Sequence, residues 1–177
     1  MTSQDGDTAE HPAHAQRTTG HPYGTEWLVR GHRTSDWVRG LELGISPAGF
    51  AAHALDPHPQ SVGQARRFLQ RCLNQWKLPA LTQNATLVVS ELSTNAIRHT
   101  AKAPHSPVWL AVFLYTDELI CAVSDPSPNP PHKEPLEPYA DAGRGLHVVT
   151  ALTSSWGWNP APPPGKIVWA SLPIRHH

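Results

Sequence analysis

The sequence predicts an α/β two-layer sandwich, with helices on one face of a mixed, largely antiparallel sheet. Three observations carry this expectation. Two helical hydrophobic repeats follow one another between about 61 and 100. Apolar, β-rich runs then come in hairpin-spaced pairs, at 108–124 and at 156–172. A short helical pattern ending at Leu152 separates the two pairs. Each helix and the sheet has an apolar side to bury, and stacking the two layers meets both needs.

The elements follow in order. Ala51–Leu55 suits a short strand, closed by the turn Asp56-Pro57-His58-Pro59. Ser61 with Gln64 three residues on matches a capping box, after which Val62, Ala65, Leu69, Cys72, Leu73 and Trp76 recur at helical spacing. Pro79 ends this helix or its exit, and a second helix is expected over about 81–100. Val108–Tyr115 and Leu119–Ser124 form a hairpin around Thr116-Asp117-Glu118. The fourteen residues from Asp125 to Pro138 hold six prolines, which forbids helix and central strand and leaves a surface loop. A helix led by Asp141-Ala-Gly-Arg-Gly-Leu runs through Leu152, and Trp156–Asn159 with Lys166–Leu172 make a final hairpin.

At 177 residues the chain holds one domain of ordinary size with some length left over. Positions 1 to about 25 carry almost no large apolar side chains and cannot offset their ordering entropy, so disorder is expected there. Trp27 and Trp37 stand in weakly patterned sequence before Gly49, and could dock on the body of the protein or on a partner. The expected boundaries are 1–49 for a weakly structured extension and 50–177 for the folded unit.

Composition narrows the function. A formal net charge of +0 supplies no global basic field for nucleic acid. No run approaches the ~18 apolar residues of a membrane span, and the N-terminus lacks the order of a secretory signal. A cytoplasmic protein with no direct nucleic-acid or membrane partner is expected. Cys72 and Cys121 read as buried free thiols of a reducing compartment, with a disulfide left open. The twelve histidines are scattered, and no zinc-type spacing occurs.

The stretch with most chemistry is Glu91 to His99. Glu91, Asn95 and His99 are four apart, so one face of a helix carries a carboxylate, a carboxamide and an imidazole. Val89, Leu92 and Ala96 point roughly the other way. Such a stripe is either a plain solvated face or a seat for hydrated Mg²⁺, which takes one or two hard oxygen ligands plus substrate phosphate. Gly143-Arg144-Gly145 before a helix is either a tight turn or a backbone that lets phosphate approach the helix amides. Asp125 at a strand end is either a turn former or a buried carboxylate that accepts from a purine amino group.

Taken in order, Glu91-Leu-Ser-Thr-Asn95-Ala-Ile-Arg-His99, then Asp125, a long loop and Gly143-Arg144-Gly145-Leu146 resemble the N box, the aspartate box and the glycine box of the GHKL, or histidine kinase-like, ATPase superfamily. The resemblance covers about 50–173. Within the superfamily the chain is most similar to small stand-alone ATP-binding proteins and serine/threonine kinases of the anti-sigma-factor type, down to the closing strands Trp156-Gly157 and Gly165-Lys-Ile-Val-Trp-Ala-Ser-Leu172.

The resemblance implies a Bergerat-type fold with ATP and Mg²⁺ as cofactors. It assigns Asn95 to the metal and makes Glu91 the catalytic residue, orienting or deprotonating a serine hydroxyl or a water. His99 and the amides around Gly143, Gly145 and Leu146 meet phosphates, with Arg144 adding charge. Asp125 reads the adenine amino group, and 126–142 form a lid. The implied partners are an anti-anti-sigma protein of the STAS type and a sigma factor, with homodimerisation also expected. The alternative is a non-catalytic sequestering module with a vestigial nucleotide site. No phosphoacceptor-histidine domain or membrane sensor is expected within this length. Two departures stand out: Pro126, Ser127, Pro128 and Asn129 replace the glycines that usually follow the aspartate, and Lys166 follows Gly165 where threonine is common.

Overall fold

Among the described residues five strands pair into one sheet in the order β1-β2-β3-β5-β4: β1 (Gly49–Leu55), β2 (Val108–Leu114), β3 (Glu118–Asp125), β4 (Ser155–Ala161) and β5 (Gly165–Pro173). The computed structural model describes residues 47–100, 108–131, 144–161 and 165–175. The expected extension before 47, most of the expected lid, and Gly143 lie outside the described residues. The largely antiparallel sheet expected from the sequence is antiparallel in every described pairing. Among the described residues three α-helices accompany it: α1 (Ser61–Gln75), α2 (Thr82–Thr100) and α3 (Gly145–Leu152).

The α1 start departs from the capping box. Gln60 is the cap residue with helical dihedrals, φ −62° and ψ −24°, and no side chain caps the helix. A capping hydroxyl needs an extended backbone. Ser61 instead lies inside the helix and is buried, while backbone carbonyls of His58, Pro59 and Gln60 take the first amides. The exit is sharper than Pro79 alone would make it. Lys77 adopts φ 58°, its amide bonds to Asn74 O, and the Leu78 amide reaches back to Leu73 O at 2.9 Å. These are the two bonds of a Schellman stop, with lysine where glycine is usual. Pro79 then opens a one-turn 3₁₀ helix, Pro79–Leu81, that leads into α2.

Strand alternation sorts the sheet into two apolar faces. Leu110, Val112, Leu119, Cys121, Val123, Val168, Ala170 and Leu172 face the helices, packing with Leu69 and Leu73 of α1, Val88, Val89, Leu92 and Ala96 of α2, and Val149 of α3. Each fully buried aliphatic side chain here contributes about 1.5–3 kcal/mol. The other face gathers Ala111, Phe113, Ile120, Ala122, Ile167 and Trp169, all buried. Burial on both faces explains why β3 and β5 read as nearly continuous apolar runs. At the edge, β4 tolerates Pro160 because an edge strand can spare a ladder donor.

α2 lies across the centre of the helical layer and packs on α1, α3 and β3. Its apolar side faces the sheet, so its polar stripe is left beside the start of α3 and the ends of β3 and β5. That placement sets up the site.

Candidate functional site

Glu91 and Asn95 are half-buried on α2, and His99, one turn further on, is exposed. Val89, Leu92 and Ala96 are buried, but Leu92 and Ala96 flank the stripe instead of facing the other way, since both line one cavity with Asn95 and His99. The start of α3 crosses this stripe closely. A Cβ on Gly145 would stand 2.5 Å from Glu91 Oε2 and 3.5 Å from Asn95 Nδ2. A larger residue at 145 would push the Glu91 carboxylate aside. Leu146, the next residue, is buried, while Arg144 is exposed at the helix cap, its carbonyl accepting from the His147 and Val148 amides.

Between α2, α3 and the ends of β3 and β5 lies a cavity of about 60 Å³. Leu92, Ala96, Val123, Leu146 and Val168 form its apolar walls, and Asn95, His99, Asp125 and Lys166 supply its polar groups. This volume fits the edge of a flat ring and not a whole nucleotide. Glu91 does not line it. That carboxylate sits on the Gly145 side, next to Asn95.

Asp125 and Lys166 are direct partners across the β3–β5 ladder. Both side chains are only 1% exposed, and Lys166 Nζ donates to Asp125 Oδ1 over 2.8 Å. The Ser127 amide donates to the same oxygen at 2.8 Å, the two-residue turn typical of an aspartate followed by proline. Lys166 Nζ also donates to the Ser127 carbonyl at 3.2 Å. The prolines after Asp125 thus serve a local fold: they lead the chain back so that Ser127 closes over the carboxylate.

Burial holds the His99 imidazole below its ordinary range; Lys166 pushes the same way, Asp125 opposes it, and Arg98 adds a smaller push downward. Solvent reaches the ring, which limits the effect. His99 is therefore a neutral donor at neutral pH rather than a fixed cation. For a divalent ion, Asn95 and Glu91 offer hard oxygens that no described side chain takes. This fits Mg²⁺ shared with phosphates. Among the described residues no three His, Cys, Asp or Glu side chains gather into a metal cage, so the phosphates have to complete any such coordination.

The structure thus brings Asn95, His99, Asp125 and Leu146 to one cavity, with Glu91 and Gly145 at its flank and Arg144 outside it. Lys166 is the residue that sequence reasoning underrated. Its parity with Val168, Ala170 and Leu172 placed it on the helix side of β5, but its partner is 41 residues away.

A two-layer sandwich with helices on one side of an antiparallel sheet, and a polar cleft between the stripe of α2 and the start of α3, defines an ATPase-type α/β domain. The chain belongs to the histidine kinase-like ATPase domain family, whose model matches residues 55–172. Comparison with curated proteins finds no match. As a member of this family the domain binds ATP. No described helix is long and apolar enough to cross a membrane.

Proposed function

We propose that this domain is a regulatory serine/threonine protein kinase of the anti-sigma-factor type, which binds ATP with Mg²⁺ and acts on an anti-anti-sigma partner. The observation that supports it most is the convergence of Glu91 and Asn95 on Gly145. The Glu91 carboxylate and the amide nitrogen of the Asn95 carboxamide come nearest there, at the helix start, where phosphate is favoured. Bound Mg²⁺ would neutralise phosphate charge in that place.

The residues divide the work. Asn95 would offer its amide oxygen as a ligand to the metal. Glu91 orients the partner's serine hydroxyl and takes its proton as the hydroxyl oxygen bonds to the γ-phosphorus. The bond from that phosphorus to the β-phosphate oxygen breaks, and ADP leaves. Such transfer depends on positioning and charge neutralisation more than on a strong base. Asp125 holds the adenine end, and His99 donates a hydrogen bond to phosphate. The cytoplasm is the proposed location, since that is where ATP and such partners meet.

Calorimetry with ATP and ADP, with and without Mg²⁺, tests the reading. Mg-dependent binding followed by transfer of γ-phosphate to a serine of the partner supports it. The sequestering alternative is favoured by the altered segment Pro126–Asn129. Partner capture with no nucleotide bound at millimolar ATP would establish that alternative and sink the kinase.

A further inference from the structure

We propose that Lys166 reads the nucleobase directly: its ammonium, fixed by Asp125, donates to a ring acceptor next to the amino group that Asp125 receives. The inference rests on the nucleotide reading above and adds a residue to it.

A lysine ammonium has three protons to donate and a carboxylate has two acceptor oxygens. Lys166 spends one proton on Asp125 Oδ1 and a second on the Ser127 carbonyl. Asp125 Oδ1 takes both Lys166 and the Ser127 amide. Among the described residues this leaves Asp125 Oδ2 and the third Lys166 proton without partners. Both residues line the same cavity, whose remaining walls are largely apolar. A ligand that enters there must offer one donor beside one acceptor, because a buried polar group left unpaired is costly.

The hydrogen-bonding edge of adenine has that pattern, an amino group next to the bare ring nitrogen N1. Guanine offers one acceptor and two donors, so one of its donors would face no acceptor. The ion pair gives this selection without burying net charge. A lone aspartate in the same place would accept the amino group but offer nothing to N1. Lysine at 166 therefore extends recognition from one atom of the base to two.

The test compares ATP with 1-deaza-ATP, in which N1 is replaced by C–H, by calorimetry on the wild-type protein. ATP is expected to bind about tenfold or more tightly, the loss of a charge-assisted hydrogen bond, with GTP weaker than ATP. In Lys166→Met the preference for ATP over 1-deaza-ATP should shrink toward unity. The wild-type comparison stands even where that variant folds poorly. Equal affinities in the wild type overturn the role of Lys166 and leave ATP binding intact. A preference that persists unchanged in folded Lys166→Met also overturns it. Absence of any nucleotide binding overturns the nucleotide reading and this inference with it.

Discussion

Glu91 and Gly145 are in contact across the α2–α3 junction: the Glu91 carboxylate occupies the space into which any larger residue at 145 would project, 2.5 Å from the position of its Cβ. The pair joins the first motif of the site to the last, 54 positions apart in sequence by their numbers (145 − 91). It also separates two roles that mutation can resolve. The colliding atoms are the far end of a flexible side chain, so the carboxylate can swing aside at little energetic cost.

Gly145→Ala should accordingly change stability by no more than about 1 kcal/mol, because only the Glu91 head group moves. Phosphoryl transfer should fall steeply, since about 1 Å of misplacement can cost on the order of a hundredfold. Thermal unfolding and a radiolabel transfer assay read the two effects separately. An alanine variant with undiminished transfer would remove Glu91 from the reaction.

Asn95→Ala removes a half-buried side chain whose amide no described residue holds. The fold should survive within about 1 kcal/mol, and Mg²⁺ should no longer strengthen ATP binding. Titrations with and without the metal, on wild type and variant, decide it. Metal dependence retained in the variant would place the ion elsewhere.

The Asp125–Lys166 pair makes a prediction about stability. Asp125→Leu and Lys166→Met should each cost about 3–5 kcal/mol in urea unfolding, because each strands a buried charge. The double variant should recover most of that loss, since two apolar side chains satisfy each other. Simply additive losses would mean that the two groups do not depend on one another.

Two histidines set the acid limit of the fold. His53 stacks on Phe68 with ring centroids 5.1 Å apart, and burial lowers its pKa below 6.5, with Arg71 adding to the effect. His99 shifts in the same direction. Well above 6.5 both are neutral folded and unfolded, so neither affects stability. Below it the unfolded chain takes protons first, and stability falls. The urea midpoint should therefore drop between about pH 7.5 and about pH 5.5, and His53→Gln should flatten the drop. A midpoint that rises on acidification would contradict the assignment.

The thiols should be silent in the native state. Burial pushes Cys121 up to about 12, with Cys72 adding to it, and burial also raises Cys72 against the opposing effects of Arg71 and a backbone hydrogen bond. Both are free, as their sequence context predicted. A thiol reagent should label neither cysteine until denaturant is added, and then both. Rapid labelling of the native protein would show that the core opens.

What the sequence determined by itself was everything that repeats at short range. The four-residue spacing of Glu91, Asn95 and His99 set them along one side of α2, because helical geometry is local. Runs of β-branched, aromatic and aliphatic residues located the strands, and the prolines after Asp125 marked where β3 must stop. Even locally the reading failed where tertiary burial won: Ser61 looked like a cap but is drawn into the core, and the backbone of His58–Gln60 does the capping.

Only the tertiary structure decided which distant groups meet. Strand order put β5 between β3 and β4, and that register set Lys166 against Asp125. The docking of α3 on α2 placed Gly145 over Glu91 and left His99 exposed. Such pairings follow from how layers stack and strands align, and no periodicity along the chain encodes the partner of a residue 41 or 54 positions away.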